Sequence, residues 1–240
     1  MKPFERFSSL LECESEEIWL KSIIQLGNEF GFERTLIAVV AERPISLSDA
    51  FLRSNYSSQW LDKYNCERLV TVDPTVRHCV MHSTPLIWDP ALFSSKKQKE
   101  MYEEASAHGL RSGISLPFHG ASGEVGILCC VSALSSSRQF YQDIQHHMSA
   151  LSLMRDFAFE ASLRFANFST VHHSPVLTQR EIECLKWCAA GKSSWETAQI
   201  LRCSEAVINF HFGNLRRKFQ VTSRRQVVVK AIHCGILRSQ

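Results

Sequence analysis

The sequence predicts an α+β protein of two domains: a mixed body with mostly antiparallel strands, and an all-helical C-terminal domain. Segments with helical periodicity alternate with β-branched apolar segments over roughly the first two thirds of the chain, and only short helical segments follow. Between the two parts, residues 165–176, FANFSTVHHSPV, lose this periodicity and contain Ser, Thr, Asn and Pro. We therefore expect domains at 1–168 and 176–240, joined by a linker at 169–175.

The body begins with a helix and a strand. Residues 19–32, WLKSIIQLGNEFGF, repeat apolar residues at helical spacing, and the segment contains glycine near its end. Residues 34–41, RTLIAVVA, are apolar and β-branched, which predicts a strand directly after the helix.

The second half of the body predicts a helix, a hairpin and a closing helix. Residues 95–110, SKKQKEMYEEASAHGL, form an amphipathic pattern that ends at Gly109, as helices commonly do. Residues 111–128, RSGISLPFHGASGEVGIL, predict two strands around a glycine-containing turn. The second strand belongs to an apolar segment at 123–134, and a long helix is expected at 139–163.

The C-terminal domain predicts four short helices. The first, LTQREIECLKWCAAGK, begins with Thr178 and has Glu181 three residues later, which is a capping box, and it ends at Gly191. The other three segments are SSWETAQILRCS, SEAVINFHFGNLRRKFQ and TSRRQVVVKAIHCGIL. The short turn between the second and third helices predicts a helix-turn-helix.

Composition excludes several classes of protein. The chain has 240 residues, of which 45% are hydrophobic and 21% charged, as in globular proteins and unlike disordered ones. Residues 1–20 are rich in acids and lack the framed apolar stretch of a signal peptide. The longest apolar run, VGILCCVSAL at 125–134, is too short to span a bilayer. We therefore expect a cytoplasmic protein without membrane contact.

Cysteine and charge distributions point to reduced thiols and to a polyanionic partner. The nine cysteines are scattered and include no CxxC pair, so we expect neither a disulfide framework nor a metal site. Residues 176–240 carry 11 Lys or Arg against 4 Asp or Glu, whereas the rest of the chain carries 16 against 20. A basic domain beside an acidic body indicates that the C-terminal domain binds nucleic acid.

The third C-terminal helix has an apolar stripe and an opposite face suited to double-stranded DNA. At about 100° per residue, the stripe that should face the core is Ile208, Phe212, Leu215 and Phe219. The opposite face mixes small residues, an amide and guanidinium groups: Glu205, Ala206, Asn209, Phe210, Gly213, Arg216 and Arg217. Such a face allows close approach to a major groove and contact with bases and phosphates. Lys192 and Ser193 at the start of the second helix would offer a cation and backbone N–H groups to a phosphate. A merely solvated helix face is the alternative.

In the body, residues 55–64, NYSSQWLDKY, place Tyr56, Trp60 and Tyr64 at a spacing of four. If the segment is helical, the three rings share one face, and each ring ends in a hydrogen-bonding group. Such a face suits a pocket for a ligand with polar atoms of its own. The residues alone leave open the alternative that these are satisfied polar groups of an ordinary core.

The C-terminal domain carries LT.RE at 177–181, Leu185, GKS at 191–193, SE at 204–205 and H..N..RK from His211. With these motifs it resembles the LuxR-type helix-turn-helix of bacterial transcriptional regulators. The resemblance implies that Asn209 and Gly213 face bases. It also implies that four residues contact the DNA backbone or hold register: Lys192, Ser204, Arg216 and Lys218. The RE of the first helix is expected to buttress the domain.

The body carries TVDPTVRH at 71–78, TPLIWDP at 84–90 and GISLP at 113–117. Together with Trp60 and Tyr64, the residues Asp73, Pro74, Trp88 and Gly113 make the body resemble the autoinducer-binding domain of acyl-homoserine-lactone receptors, and it looks most like the LasR-like receptors. The resemblance covers essentially the whole chain. It implies an α-β-α sandwich around a central antiparallel sheet, with the signal enclosed between the sheet and one helical layer.

The resemblance and the chemistry of the lactone assign roles to the pocket residues. Trp60, a donor only, suits the ring carbonyl, and ionised Asp73, an acceptor only, suits the amide N–H. Tyr56 would donate to the acyl carbonyl, beside which Cys129 stands where LasR-like receptors have a serine. Thr75 and Ser115 would tune the carboxylate or reach nearby polar atoms, and Tyr64 and Trp88 would form walls. The expected contacts of the acyl tail are Leu36, Ala38, Val40, Leu52, Val76, Leu110, Val125 and Ile127.

These inferences predict a dimeric quorum-sensing activator that binds a long-chain acyl-homoserine lactone and then a palindromic promoter site. The protein would use no cofactor and would not be an enzyme. A phosphorylatable receiver body is disfavoured, because TLIAVVAERPIS offers only Glu42 as an acid after the first strand. A sensor of a different small molecule is one alternative. A hydrolase in which Cys129 or Cys130 with His119 cleaves the lactone is another.

Overall fold

The computed structural model describes residues 3–41, 50–121, 123–166, 175–234 and 236–237. The chain divides into two compact units, Met1–Phe168 and Ser169–Gln240. Most of the expected linker, residues 169–174, lies outside the described residues, so the exact domain bounds stay a prediction.

The first unit is built on a five-stranded antiparallel sheet with the strand order β2-β1-β5-β4-β3. Its strands are β1 Arg34–Val40, β2 Phe51–Ser54, β3 Leu86–Ile87, β4 Ser112–His119 and β5 Val125–Ser132. β5 lies at the centre and is almost entirely buried, as expected for a strand that is covered on both faces. The predicted hairpin is confirmed as β4 and β5, which pair from Ser112 opposite Ser132 to His119 opposite Val125.

Within the part of the first unit that the structure describes, six α-helices accompany this sheet. They are α1 Pro3–Ser8, α2 Glu16–Glu29, α3 Ser58–Cys66, α4 Pro74–Met81, α5 Lys96–Ala107 and α6 Arg138–Ser162. Side-chain oxygens of Ser15, Ser57, Asp73, Ser95 and Ser137 cap five of them. Gly109 follows α5 with a φ of +79°, so the predicted end of that helix is confirmed.

The helices form two layers on opposite faces of the sheet. Alternate strand residues face the two layers because side chains alternate across a strand. On one face, α1, α2 and α6 pack with a core that includes Trp19, Leu151, Ile37, Leu128 and Cys130. On the other, α3, α4 and α5 pack with a separate cluster that includes Trp60, Cys79, Met101, Ile127 and Cys129. The α-β-α sandwich implied by the sequence is therefore confirmed.

One local expectation is wrong. α3 begins at Ser58 and not at residue 55, because Ser57 adopts an extended conformation and its side chain accepts a hydrogen bond from the Trp60 backbone N–H. Tyr56 therefore precedes the helix and does not share a helical face with Trp60 and Tyr64. It nevertheless packs against the same cluster of side chains.

The second unit consists of α7 Gln179–Ala189, α8 Ser194–Leu201, α9 Glu205–Lys218 and α10 Arg224–His233. Capping boxes at Thr178, Ser193 and Ser223 begin three of these helices. α8 ends at Leu201, its C-cap Arg202 is left-handed with a φ of +53°, and α9 begins after its cap at Ser204. The predicted core stripe of the third helix is confirmed, since its four residues are all buried: Ile208, Phe212, Leu215 and Phe219.

Within the described ranges, no helix is long and apolar enough to cross a bilayer. In the same ranges, no group of three or more His, Cys, Asp or Glu side chains is arranged to hold a metal ion.

Candidate functional site

The first unit contains a cavity of about 300 Å³ between the sheet and the layer formed by α3, α4 and α5. Thirteen of the residues predicted from the sequence line it: Leu36, Ala38, Leu52, Tyr56, Trp60, Tyr64, Asp73, Thr75, Val76, Trp88, Leu110, Ile127 and Cys129. The fold therefore gathers into one place residues that are up to 93 positions apart in the chain. Most of the lining is apolar, and the polar groups are few.

Asp73 is the best-anchored polar group of the cavity. It is the N-cap of α4, and its Oδ1 accepts from the Thr75 backbone N–H at 2.8 Å and from the Thr75 hydroxyl at 2.7 Å. Its Oδ2 accepts from the Tyr64 hydroxyl at 2.8 Å. Each carboxylate oxygen has more than one lone pair, so the carboxylate is held in one orientation and still has capacity to accept from a ligand.

Tyr56 and Trp60 bring hydrogen-bond donors to the same cavity. The Tyr56 hydroxyl is buried and has no partner among the described residues. Burial raises the pKa of this phenol well above its usual value, and the nearby Cys129, Cys130 and Asp73 raise it further, so the group remains a neutral donor. Trp60 is 4% exposed and contacts the rings of Tyr64 and His108. No acceptor for its indole N–H is found among the described residues.

Trp88 and Cys129 belong to one wall of the cavity, and both contact the hydroxyl of Ser115 behind it. The Trp88 indole N–H donates to Ser115 Oγ at 2.8 Å, and Ser115 Oγ lies 3.4 Å from Cys129 Sγ. Burial raises the pKa of the Cys129 thiol to about 12, even though the Ser115 hydrogen bond lowers it, so the thiol is neutral. Trp88 thus offers its ring to the cavity while its polar atom is satisfied behind it.

In the second unit, the predicted DNA-facing side of α9 is open. Glu205, Asn209, Arg216 and Arg217 are exposed, and Phe210 is 64% exposed. A Cβ atom added at Gly213 would meet no atom within 4 Å, so nothing in the unit blocks close approach at this position.

The residues at the start of α8 are engaged locally. Ser193 caps α8, and Lys192 Nζ donates to Glu196 at 3.1 Å. Hydrogen bonds from the Ser193 backbone N–H and from Lys192 lower the pKa of Glu196 to about 2. Ser193 forms a capping box with Glu196, and Ser204 caps α9 by accepting from the Val207 backbone N–H, so the two hydroxyls fix where the helices of the helix-turn-helix begin.

The two parts of the chain each match a known protein family. Residues 15–162 match the autoinducer binding domain family, and residues 175–231 match the bacterial regulatory proteins of the luxR family. The chain belongs to the LuxR family. It is an autoinducer-binding transcriptional activator with a DNA-binding helix-turn-helix domain, in a family of regulators and not of enzymes. Its small-molecule site therefore takes a signal and not a cofactor.

Individual members of the LuxR family are similar over nearly the whole chain. The transcriptional activator protein VanR of Vibrio anguillarum is 30% identical over 216 residues, which make up 88% of each chain. The transcriptional activator protein LuxR of Aliivibrio fischeri is 32% identical over 231 residues, 94% of this chain and 90% of that protein. In fold, the chain is similar to a crystal structure of Escherichia coli SdiA, with a TM-score of 0.74, 24% identity, and coverage of 95% and 94% of the two chains.

For this LuxR-family chain, the structure corrects three expected pocket contacts. Ser115 does not line the cavity, because its hydroxyl is used between Trp88 and Cys129 inside the wall. Val40 and Val125 pair with each other near the end of their strands and also fall outside the lining.

The arrangement also contradicts the hydrolase alternative. Cys130 belongs to the core on the other face of the sheet, and burial raises its pKa well above the usual value. His119 lies 3.2 Å from the His82 carbonyl, and Cys129 Sγ pairs with Ser115. Neither thiol is therefore an activated nucleophile.

Lys218 is engaged inside the second unit. Its Nζ donates to Glu181 Oε2 at 2.7 Å and to the Val176 carbonyl at 2.9 Å. Glu181 is 2% exposed, and although burial alone raises its pKa, the hydrogen bonds from Lys218 and Thr178 outweigh this and lower it. Lys218 thus holds α9 to α7, which agrees with the register role expected from the sequence, and its contact with the DNA backbone stays a prediction.

Sequence reasoning missed eight residues that line the cavity. They are Ala50, Leu61, Asn65, Val70, Phe93, Met101, Tyr102 and Ala105. Met101 and Ala105 are four residues apart on α5, so the amphipathic pattern of that helix carried a usable signal for them.

Proposed function

We propose that this protein is a quorum-sensing regulator that binds a long-chain acyl-homoserine lactone in the cavity of its first unit and then a palindromic promoter site as a homodimer. It would act in the cytoplasm, where bacterial DNA is found. Membership of the LuxR family by itself leaves three things open: the class of the signal, the symmetry of the operator and the residues that bind each.

The observation that carries the signal class is the pairing of an unsatisfied donor with an oriented acceptor at one cavity. The Tyr56 O–H is a buried donor with no acceptor among the described residues, the Trp60 indole lines the same cavity, and Asp73 is an acceptor there. An acyl-homoserine lactone offers the complement, with two carbonyl oxygens and one amide N–H. In this arrangement Trp60 donates to the ring carbonyl, Tyr56 donates to the acyl carbonyl, and Asp73 accepts from the amide N–H.

The remainder of the cavity supports an alkyl chain as the rest of the signal. Beyond the polar groups, the wall is formed largely by side chains such as Leu36, Leu61, Leu110, Met101 and Ile127. Burial of a methylene group against such a wall contributes about 0.8 kcal/mol, so affinity should rise with chain length until the cavity is full.

One feature of the second unit supports DNA contact, and the geometry of helix-turn-helix domains supports a dimer. The open face of α9 presents Asn209, Arg216 and Arg217 next to the unhindered Gly213. A single helix-turn-helix contacts one half-site, and dimers of such domains match palindromic operators. α10 and α6 are the helices that we propose for pairing.

The test is lactone-dependent DNA binding by the full chain, with Asp73→Asn compared with Asp62→Asn. Both substitutions remove one carboxylate, but Asp62 is exposed on α3 and has no place in the cavity wall. We expect Asp73→Asn to weaken binding of a long-chain acyl-homoserine lactone, measured by calorimetry, by roughly tenfold or more, since charged hydrogen bonds contribute about 1.5–3 kcal/mol. Asp62→Asn should match the unchanged chain.

Fluorescence anisotropy with a palindromic duplex gives the second readout. At saturating lactone, Asp73→Asn should recover most DNA binding, because the second unit is untouched. If none of the acyl-homoserine lactones tested binds, the result would support a different small-molecule signal. An equal loss in both assays would show that Asp73 is structural only.

A further inference from the structure

A chain of hydrogen bonds links two helices of the second unit, α10 and α8, to the exposed face of α9. Arg224 of α10 donates through Nη1 to Ser194 Oγ of α8 at 2.6 Å. The Ser194 hydroxyl in turn donates to Asn209 Oδ1 of α9 at 2.9 Å. The exposed amide of Asn209 is therefore tied to a guanidinium that lies inside the domain.

The guanidinium at the origin of this chain is held on several sides. It stacks over the Phe212 ring, with its Cζ atom 3.8 Å from the ring centroid, and its Nε donates to Cys188 Sγ at 3.0 Å. Its Nη2 is buried. These contacts fix where Nη1 points, so Ser194 receives its hydrogen bond from a group that does not move freely.

The chemistry of Arg224 sets the direction of the whole chain. A guanidinium only donates, so Ser194 Oγ must accept from it. The serine hydroxyl hydrogen is then free for one further partner, and in this structure it is donated to Asn209 Oδ1. Of the two ends of the Asn209 amide, only the oxygen accepts, so the oxygen turns toward Ser194 and the NH₂ group is left for the outer face.

We propose that Arg224 and Ser194 are positioning residues that make Asn209 a pure donor in the major groove, so that Asn209 selects a keto base, guanine or thymine. This inference rests on the proposed role of Asn209 as a base-contacting residue. It adds which chemical class of base is selected and which residues outside the DNA-facing side decide it.

The selection follows from the edges of the bases. In the major groove, guanine presents O6 and N7 and thymine presents O4, all of which accept. Cytosine presents only the amino group N4, and adenine presents the amino group N6 beside its one acceptor N7, so the Asn209 NH₂ group meets a donor on both bases. The usual two-bond contact of asparagine with adenine needs the amide oxygen toward the base, and here Ser194 holds that oxygen.

The experiment selects preferred sites from duplexes with a randomised palindromic sequence, using the full chain saturated with a long-chain acyl-homoserine lactone. The position contacted by Asn209 is identified as the one whose preference disappears in Asn209→Ala. At that position the unchanged chain should select guanine or thymine. Ser194→Ala should lower the ratio of keto to amino bases by roughly five- to tenfold, with the largest gain for adenine, because the amide is then free to turn over.

Three further variants separate positioning from structural effects. Ser194→Thr keeps a hydroxyl and should keep the preference. Ser194→Ala added to Asn209→Ala should change nothing more at that position, because Ser194 acts through Asn209. Arg224→Ala should resemble Ser194→Ala in preference, whereas Arg225→Ala, an exposed neighbour, should weaken binding to all sequences equally.

Each contrary result has a distinct meaning. If Asn209→Ala changes no position, both this inference and the proposed role of Asn209 are wrong. If Asn209→Ala removes a preference for adenine or cytosine, or if Ser194→Ala leaves the keto preference intact, the inference fails while the proposed function stands. The inference also fails if the double variant Ser194→Ala, Asn209→Ala differs from Asn209→Ala alone in its base preference at that position.

Discussion

The Tyr56 hydroxyl is buried without a partner among the described residues, and it lies beside a cavity. An unsatisfied buried hydroxyl costs free energy, on the order of 1–3 kcal/mol in mutational data. A ligand acceptor that reaches this hydroxyl would remove that cost. Binding and protein stability should therefore respond in opposite directions when the hydroxyl is deleted.

We expect Tyr56→Phe to weaken binding of a long-chain acyl-homoserine lactone by about 1–3 kcal/mol, because the acyl carbonyl loses a buried donor. The ligand-free protein should be as stable as before or more stable. Calorimetric titration and urea unfolding measure the two quantities. Tyr102→Phe is the matched control, since Tyr102 also lines the cavity but its hydroxyl already donates to the Arg111 carbonyl at 2.9 Å. Weaker ligand-free stability with unchanged affinity would place the acyl carbonyl elsewhere.

The family resemblance, together with the donor and acceptor chemistry of the side chains, proposed Asp73 and Trp60 as pocket groups, and the structure brings both to the cavity. The use of Ser115 could not be foreseen in the same way. Its hydroxyl is taken by Trp88, 27 residues away, and such pairings depend on strand register, which no local pattern contains. Cys129 lies opposite Ser115 for the same reason.

At the scale of the helix, α9 is held to α7 by the Glu181–Lys218 pair. We expect Glu181→Gln to destabilise the second unit by about 1–3 kcal/mol, because a buried charged partner is removed. Glu183→Gln is the control, since Glu183 pairs with Arg180 at the surface, where such pairs contribute little. Amide hydrogen exchange of the α7 backbone in the full chain would measure both effects.

The same pair predicts a dependence on pH. The pKa of Glu181 is lowered in the folded state, so its stabilisation is complete at neutral pH and is lost as the pH falls through that lowered value. Glu181→Gln should therefore flatten the loss of α7 protection in acid. An identical acid profile in the two proteins would show that the carboxylate does not carry this stability.

Replacing Gly213 by alanine should have opposite effects on the stability of the second unit and on its DNA binding. A methyl group at this position would meet no atom within 4 Å, and alanine is favoured over glycine inside a helix by about 0.5–1 kcal/mol. Gly213→Ala should therefore stabilise the second unit by about that amount. It should weaken binding to a palindromic duplex in anisotropy measurements if this face approaches DNA closely. Stabilisation with unchanged DNA binding would place the groove contact on another face.

The helices were more predictable than the sheet. Capping boxes at Thr178, Ser193 and Ser223 are local patterns of four residues, so the boundaries of the last four helices could be inferred closely. The strand order β2-β1-β5-β4-β3 joins segments far apart in the chain, and β3 has only two residues. Such a short strand has no periodicity to detect. A spacing of four between aromatic residues does not locate a helix start, and α3 begins only after Ser57, whose side chain caps it.

For the whole molecule, signal binding should be coupled to folding of the first unit. A ligand that binds only the folded state at about 100 times its dissociation constant adds ~2.7 kcal/mol to the free energy of unfolding. We expect a long-chain acyl-homoserine lactone to do so in urea unfolding of the full chain. A free fatty acid of equal length is the control and should stabilise less, because it has no ring carbonyl or amide N–H. Equal stabilisation by both would argue against a lactone signal.

Asp73 has two structural roles. Together they limit how the signal specificity of this protein can change during evolution. Its side chain begins helix α4 and also faces the cavity. A substitution that replaced the carboxylate by a side chain without an acceptor would remove a helix cap, at a cost of about 0.5–2 kcal/mol to the fold. Leu61 lines the same cavity and caps no helix, so it has no such second role. We therefore expect descendants of this gene to change the length of the chain they recognise more readily than the head group.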